Sequence, residues 1–448
     1  MSTGTLDTPL IANTSSDADT RSTYKTIAFR LLPVLFICYF FNYLDRTNIG
    51  IAQLQLKSDL GFSDAAYGLG AGLFYVGFIL FEIPSTLMLD KLGARKTLLR
   101  IMVCWGLVTC LTAFMRTPAE FYIARILLGC AEAGFLPGIV LYLSYWFPAQ
   151  RRGRITAMFF IAIPMSGIFG SPLSGWIMQN FQAYMGMNGW QWMFILEGLP
   201  SIIMGVVAYS LLADRPEKAK WLTPSQKAIV ADALSAEHRN KSDRSHSSLW
   251  SVLRDPRVYV ISYVMFASFI CANTLTFWTP TIIRNSGIAE ILNVGFLAAI
   301  PPFMGIIGML IVGWHSDRKM ERRLHTVVPV LCAAIGLALL PEFRNDPIMS
   351  IVLLSMVATG HYSSLPTIFS MPSSYMTGGG AAAGIALITT LGSIGGAVAP
   401  SLLGLIKDLS GSFDLGFQIY AGVITLGALM LMVFVPGKLL GEKARPIN

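Results

Sequence analysis

Charged residues are scarce in this sequence. Asp, Glu, Lys and Arg make up 13% of its 448 residues, whereas soluble proteins carry about 25%. Hydrophobic residues make up 54% of the chain, and the mean hydropathy is +0.59. This composition excludes an ordinary soluble domain and indicates a chain that lies mostly within a lipid bilayer.

The sequence also lacks the short motifs that mark common enzyme and metal sites. It contains no His-Glu-x-x-His, no Cys-x-x-Cys and no serine-centred nucleophile elbow. Its six cysteines fall in apolar stretches without metal-ligand spacing. No Gly-Lys-Ser or Gly-Lys-Thr follows the glycine-rich strings at Gly167 and Gly392, so they are not phosphate-binding loops. We therefore expect no enzymatic activity, no metal, no cofactor and no ATP hydrolysis.

Apolar runs of about 20 residues recur along the chain, each long enough to cross a hydrocarbon core of about 30 Å as a helix. Strands of a membrane barrel would be about ten residues long and would alternate in polarity. The predicted fold class is therefore all-α, a polytopic membrane protein with twelve transmembrane helices. The predicted spans are residues 27–48, 67–89, 97–115, 119–146, 155–179, 192–212, 257–283, 291–314, 325–341, 347–370, 381–406 and 413–436.

The net charge of +8 does not point to nucleic acid, because the basic residues are divided by side. Most of the 33 Lys and Arg fall in the N-terminal tail, the loops after even-numbered spans, the central linker and the C-terminal tail. Cytoplasmic segments of membrane proteins carry such an excess. Both termini are therefore predicted to be cytoplasmic, and no nucleic-acid partner is expected. The basic residues on the other side are Lys57, Arg116, Arg284, Arg344 and Lys407.

One long polar stretch divides the chain into two halves of six spans. Within it, the string Thr223-Pro224-Ser225-Gln226 has the pattern of a capping box with Pro at the first helical position, which predicts a surface helix to about Ala236. The predicted domains are a disordered cytoplasmic tail at 1–26, a six-helix bundle at 27–212, a linker at 213–256, a second six-helix bundle at 257–436 and a cytoplasmic tail at 437–448.

The two halves repeat one signal at a fixed offset. A charged string from Asp90 through Arg95 follows the second span, and a similar string from Asp317 through Arg322 follows the eighth. Both pairs of corresponding residues are 227 positions apart. A repeat of this size indicates two pseudo-symmetric six-helix bundles around a central site. We expect these four residues to act as gates between the bundles.

Four charged residues lie inside predicted spans of the first half. Asp45 and Arg46 are adjacent in the first span, while Arg125 and Glu132 lie two helical turns apart in the fourth. A charge at bilayer depth costs roughly 2.5–3.5 kcal/mol even on lenient scales, so it is seldom kept without a use. The arginines can bind a carboxylate through a planar fork, and the acids can exchange a proton as a cation approaches or leaves. The alternative is two static ion pairs, Arg46 with Asp45 and Arg125 with Glu132.

The second half has a different chemistry. It has no carboxylate in mid-span, and its one ionisable candidate, His361, is expected to be a hydrogen-bonded packing residue. Polar side chains there are candidates for substrate contact, with hydrogen bonding between helices as the alternative. With Tyr75 of the first half, these candidates are Asn273, Thr274, Trp278, Ser370, Thr389 and Ser393. Glu82 is expected to bind a gate or loop group. Glu197 is expected to pack between helices or to cap one.

Four strings carry a resemblance to a known family. The string Asp90–Lys96 is similar to the signature loop of the major facilitator superfamily, with Thr86 where that signature has Gly, and the chain resembles this superfamily over nearly its whole length. Three further strings resemble its anion:cation symporters, a group that includes bacterial permeases for tartrate, sugar acids, phthalate and hydroxyphenylacetate. They are Leu44-Asp45-Arg46-Thr47-Asn48-Ile49-Gly50, Glu132-Ala133-Gly134-Phe135-Leu136-Pro137-Gly138 and Trp190-Gln191-Trp192-Met193-Phe194-Ile195-Leu196-Glu197-Gly198.

The resemblance implies the major facilitator fold and a transporter of the bacterial inner membrane. Such a protein takes up a small organic carboxylate together with protons, driven by the proton gradient. The resemblance further implies that Arg46 binds the substrate carboxylate and that Asp45 and Glu132 carry protons, with Arg125 as a second candidate for the substrate. We expect a monomer. An exporter, a uniporter, a Na⁺-coupled carrier and, more remotely, a transporter-like sensor remain as alternatives.

Overall fold

The protein consists of two helical bundles joined by a polar linker. The computed structural model describes residues 17–148, 151, 155, 159–242, 252–375 and 379–437, and no strand occurs among them. The helices of the first bundle are α1 Asp17–Leu60, α2 Asp64–Leu92, α3 Ala94–Thr112, α4 Pro118–Glu132, α5 Phe135–Ser144, α6 Ala162–Asn180 and α7 Gly189–Leu211.

The linker carries one helix, and the second bundle follows it. The linker helix is α8 Pro224–Ser242, which begins at the predicted capping box: Gln226 N donates to Thr223 Oγ1 over 3.2 Å, and Thr223 N donates to Gln226 Oε1 over 3.1 Å. The helices of the second bundle are α9 Pro256–Asn273, α10 Thr279–Asn285, α11 Ile291–Ala298, α12 Ile300–Lys319, α13 Leu324–Leu339, α14 Pro347–Tyr375, α15 Gly379–Ser410 and α16 Asp414–Phe434.

Most of these helices can cross a membrane. In the described part of the chain, ten helical stretches are long and apolar enough to do so, counting α4 with α5, α9 with α10 and α11 with α12 as continuous stretches. Helices α3 and α6 occupy the positions of the predicted third and fifth spans and are 19 residues long. At about 1.5 Å per residue, each extends about 28 Å, which is close to the thickness of a hydrocarbon core.

The two bundles pack their helices in the same pattern. In the first bundle, α3 packs against α7, α2 against α4, and α1 against α6. The corresponding pairs of the second bundle are α13 with α16, α12 with α14, and α9 with α15. Each of these pairs joins helices at equivalent positions of the two halves. The internal sequence repeat is therefore matched by a repeat in packing.

The bundles meet most closely at one end of the molecule. We call the side on which α1 begins and α16 ends the terminal face, and the other side the opposite face. Near the opposite face, Gln53 Nε2 of α1 donates to the carbonyl oxygen of Phe277 over 2.5 Å, and Asp408 of α15 accepts the N–H groups of Asp64 and Ala65 at the start of α2 over 3.0 and 2.8 Å. These contacts close the opposite face.

Two glycines allow this closure because their backbones touch the facing helix. A Cβ atom added at Gly50 of α1 would overlap the carbonyl oxygen of Thr276, and one added at Gly68 of α2 would overlap that of Pro400 in α15. Helices in membranes approach this closely only through small residues.

Three helices differ from the prediction. Helix α1 begins at Asp17, so residues 17–26 are helical and not part of a disordered tail; Thr23 and Tyr24 are buried there, and the Tyr24 ring lies 5.9 Å from that of Phe147. Residues 1–16 lie outside the described part of the chain, as do 438–448. The fourth span is divided at Gly134, whose φ is +82°, and the seventh contains a π-helical turn at Thr274–Trp278.

Gly68→Ala is expected to shift the protein away from the state that is closed at the opposite face. Overpacking of this kind costs about 1–3 kcal/mol, roughly a 5- to 150-fold change in the ratio of two states. Spin labels at Ser58 of α1 and Leu409 of α15, in a protein whose native cysteines have been replaced, should report a longer distance. Gly422→Ala is the control, because its Cβ would have no neighbour within 4 Å. Equal distances in the two variants would contradict the role of Gly68.

Candidate substrate and ion site

Helix α1 points its two adjacent charges in different directions. Consecutive residues of a helix are about 100° apart, and here Arg46 faces α2 and α4 while Asp45 faces α7. Arg46 Nε donates to Glu132 Oε2 over 2.7 Å, and Asn42 Nδ2 donates to the same oxygen over 2.9 Å. The first-span arginine is therefore paired with the fourth-span glutamate, and neither of the two ion pairs considered from the sequence forms.

The Arg46 guanidinium lies in an aromatic cage. Its central carbon is 5.1 Å from the ring centroid of Tyr43, 4.9 Å from that of Phe74 and 5.1 Å from that of Phe78. A cation in contact with aromatic faces gains about 0.5–2 kcal/mol per ring, most when water is excluded. The cage holds the guanidinium in the bundle interior, and the Arg46 side chain is only 15% exposed.

Arg125 lies beside the same ring and has no ion-pair partner among the residues that the structure describes. Its guanidinium carbon is 5.1 Å from the Phe74 centroid and 5.9 Å from the Phe277 centroid, so it faces the seam between the bundles. The residue is 3% exposed, and its Nε and Nη2 have no hydrogen-bond acceptor among the described residues. A buried donor without an acceptor is costly, and a buried unpaired charge is more so. A bound anion would accept hydrogen bonds from these donors and balance the charge of Arg125.

The local charges give the same result. Two arginines lie at one ring, and Glu132 is the carboxylate that pairs with one of them; among the described residues its Oε1 is buried without a hydrogen-bond partner. If all three groups are ionised, the local charge is positive by one. One carboxylate from outside would balance it and would accept the free donors of Arg125.

Tyr75 and Asn273, both predicted to contact substrate, come together across the bundles. The Tyr75 ring packs against Phe269 of α9 at 6.0 Å, and its hydroxyl lies next to the Asn273 side chain. Asn273 Nδ2 donates to the carbonyl of Phe269 over 2.7 Å, which leaves its buried Oδ1 without a partner. A hydroxyl and an amide thus stand near the arginines.

The other predicted contacts of the second half are placed differently. Trp278 packs in the closed seam, 5.5 Å from Tyr67 and 5.0 Å from Phe413. His361 Nδ1 is hydrogen-bonded to Ser268 Oγ at 2.8 Å, which is a packing role. The remaining hydroxyls donate to carbonyls one turn back in their own helices: Thr274 to Ile270, Ser370 to Thr367, Thr389 to Ile385 and Ser393 to Thr389.

The gating candidates lie at the terminal face and make contacts within their own bundles. Arg95 Nε donates to the carbonyl of Tyr209 over 2.7 Å, which ties α3 to the end of α7. Arg322 Nη2 pairs with Asp317 Oδ1 at 2.6 Å. The side chain of Asp90 lies outside the described part of the structure. Next to Arg322, partial burial raises the pKa of Glu321, but hydrogen bonds from Leu324 N and from His325 outweigh burial and lower this pKa below its usual value.

Several residues that complete the site were not identified from the sequence. These residues include Asn42, Tyr43 and Phe78. Each lies three or four positions, or one helical turn, from a residue that was identified, so helical spacing could have indicated that it belongs to the site. Phe277 reaches Arg125 through the π-helical turn, for which the sequence carries no signal.

No metal site accompanies these groups in the described residues, where no three His, Cys, Asp or Glu side chains cluster closely enough to hold an ion. A cavity of about 30 Å³ lies between the bundles, lined by Thr47, Ser171, Thr276, Thr279 and Tyr362 among others. It has room for one or two waters.

Two pseudo-symmetric helical bundles that meet at a central interface are the architecture of secondary transporters. Residues 35–400 match the family model of the Major Facilitator Superfamily. The chain belongs to this superfamily: it is a multi-pass membrane transporter and not an enzyme, as the sequence predicts.

Relatives of known name cover nearly the whole chain. A Pseudomonas putida protein, provisionally named the metabolite transport protein NicT, is 41% identical over 95% of this chain and 97% of its own length. An Agrobacterium vitis protein, provisionally named a tartrate transporter, is 43% identical over 95% and 94%. Among solved structures, the xylose transporter XylE of Escherichia coli, in a partially occluded inward-open conformation, matches with a TM-score of 0.75 over 92% of this chain and 98% of its own, at 14% identity. These matches confirm the predicted all-α fold of two bundles.

Proposed function

We propose that the protein couples uptake of a small organic carboxylate to protons. The observation that carries this proposal is the buried Arg125 guanidinium, whose free donors lie next to the Arg46–Glu132 ion pair. Arginine is suited to carboxylate because its N–H groups match the two oxygens in one plane. Two relatives are provisionally named tartrate transporters, and tartrate belongs to the proposed substrate class.

The ion pair supplies a means of coupling. Glu132 Oε2 holds Arg46, while Oε1 is a buried acceptor without a donor and is the oxygen at which a proton would bind. Protonation of Glu132 removes its charge and releases Arg46, so that both arginines can hold the substrate carboxylate. Departure of the substrate lets Arg46 return to Glu132 and expel the proton. The proton and the anion then move together.

The conformation and the charge distribution agree with access from the cytoplasm in this state. The opposite face is closed by contacts between α1, α2, α15 and the π-helical turn, which supports access to the arginines from the terminal face. The excess of Lys and Arg at the terminal face supports a cytoplasmic position for that face. We therefore infer an inward-facing state of a cell-membrane protein, which we expect to act as a monomer driven by the proton gradient alone.

Labelled tartrate, a sugar acid and an aromatic acid should be tested for uptake into proteoliposomes with an inwardly directed proton gradient. At least one is expected to accumulate, and collapse of the gradient should abolish accumulation. Arg46→Ala is expected to show no uptake, because one of the two carboxylate receptors is lost. Protein-free vesicles are the control. Uptake that follows a Na⁺ gradient, or that persists without any gradient, would contradict proton coupling.

A further inference from the structure

Asp45 and Glu197 are buried inside the first bundle, and Asp45 points to a different side of α1 from the Arg46 guanidinium. Asp45 Oδ2 accepts a hydrogen bond from Ser201 Oγ of α7 over 3.0 Å, and Glu197 Oε1 accepts one from Ser174 Oγ of α6 over 2.7 Å. Both acids are 1% exposed, and they are close enough for their charges to interact. The sequence predicted a packing or capping role for Glu197; the structure places Glu197 one helical turn before Ser201, the residue that donates to Asp45.

The polar atoms between these acids lack partners. Asp45 Oδ1, Glu197 Oε2 and both amide atoms of Asn48 are buried without a hydrogen bond in the described structure. The Asn48 amide stands beside Glu197, and the Trp105 indole stands beside Asp45, but neither reaches hydrogen-bond geometry. Asp45 Oδ1 and Glu197 Oε2 are the carboxyl oxygens of this cluster at which a proton can bind.

No cation balances the two acids. Arg46 is held by Glu132, and no ion pair to Asp45 or Glu197 occurs in the part of the chain that the structure describes. The titratable groups nearest to Asp45 from the other helices are Glu132 of α4 and Cys110 of α3, and neither is a cation. Helix α6 contributes only the Ser174 hydroxyl. Carboxylates buried without a cation are stable in their neutral form, and two of them together cannot both ionise without strong repulsion.

A polar seam connects this cluster to the opposite face. Along α1, Asp45 and Asn48 are followed by Gln55 and Asp59, all at helical spacing on the side that faces α7. Gln55 Oε1 accepts from Trp190 N over 3.1 Å, and Asp59 Oδ2 accepts from Trp190 Nε1 over 2.8 Å. The buried Ala52 lies between Asn48 and Gln55 on this side of α1 and interrupts the polar seam for one helical turn.

We propose that Asp45 and Glu197 form a two-carboxyl proton site, reached along the α1–α7 seam from the opposite face and separate from the Arg46–Glu132 pair. It rests on the proposed function and deepens it, because Glu197 becomes a proton-binding residue and the protein carries more than one proton in each cycle. In the transfer between the acids, the O–H bond at Glu197 Oε2 breaks as one forms at Asp45 Oδ1. Substrate does not enter this site.

The test compares wild type with Glu197→Gln, which keeps the shape and the acceptor for Ser174 but cannot release a proton. In proteoliposomes, each coupled proton multiplies the limiting accumulation by about ten for each unit of pH gradient. Glu197→Gln should therefore accumulate about tenfold less substrate under a one-unit gradient, with counterflow exchange retained. Glu120→Gln, at an exposed acid at the start of α4, is the control and should match wild type. Accumulation equal to wild type in Glu197→Gln would overturn the proposal.

A second measurement does not depend on transport. In the purified full-length protein at neutral pH, the infrared band of a protonated carboxylic acid, sensitive to deuterium, should weaken in Glu197→Gln and in Asp45→Asn. If both bands equal that of wild type, neither acid holds a proton and the proposal fails. Absence of gradient-driven uptake by wild type would refute the proposed function instead, and the infrared bands would still decide the state of Glu197.

Discussion

Arg125→Met is expected to weaken carboxylate binding by at least about 30-fold while leaving the empty protein at least as stable as wild type. Removal of one partner from a buried charged hydrogen bond costs about 2–5 kcal/mol, which is roughly a 30- to 4,000-fold loss of affinity. In the empty protein, however, this guanidinium has no acceptor for Nε or Nη2. Its burial therefore destabilises the empty protein, and methionine fills the same space without a charge.

Two measurements on the purified protein separate a binding arginine from a structural one. The dissociation constant from equilibrium binding of the labelled substrate should rise by at least the lower of these factors. The thermal midpoint without substrate should stay or rise, and the stabilisation that substrate gives to wild type should vanish. Arg116→Met, at an exposed arginine of the opposite face, is the control. A lower midpoint together with unchanged affinity would show that Arg125 supports the fold and does not bind the anion.

The sequence was informative where a residue type is costly in a membrane. Asp45, Arg46, Arg125 and Glu132 stood out because charges are rare in apolar spans, and the structure places three of them at one site. The pairing could not be predicted, because it depends on how α1 is rotated against α4 and α7. That rotation follows from packing between helices, which hydropathy along one sequence does not record.

The uncharged parts of the site were harder to predict for a related reason. The hydroxyl of a serine or threonine in a membrane helix can donate either to its own helix or to a substrate. Here the hydroxyls of Ser370 and Ser393 donate to their own helices. Trp278 and Phe277 are consecutive and point in different directions: Trp278 packs near Phe413 and Phe277 near Arg125. A change of helical type moves side chains between faces without any sign in the hydropathy.

Glu132→Gln is expected to separate substrate binding from protons. In wild type, the Glu132 carboxylate holds Arg46, so binding of the anion requires a proton to replace the guanidinium. The apparent affinity should therefore be highest at low pH and should weaken by up to tenfold for each pH unit once Glu132 is ionised in the empty protein. Glutamine keeps the size of the side chain and can accept from Asn42, but it carries no charge. Arg46 is then free at every pH, and the variant should bind tightly with no pH dependence from this group.

Transport should change as well. A Glu132→Gln variant loses the proton that the Arg46 pair carries, so gradient-driven accumulation should fall at least about tenfold under a pH gradient of one unit, whereas counterflow exchange should continue. Dissociation constants at about pH 6 and about pH 8 should differ by up to 100-fold in wild type and by less than about threefold in the variant. Glu82→Gln, at a half-buried acid of the terminal half of α2, is the comparison. If Glu132→Gln keeps both the pH dependence and accumulation, the proton that drives uptake binds elsewhere, and the Arg46–Glu132 pair is only a structural contact.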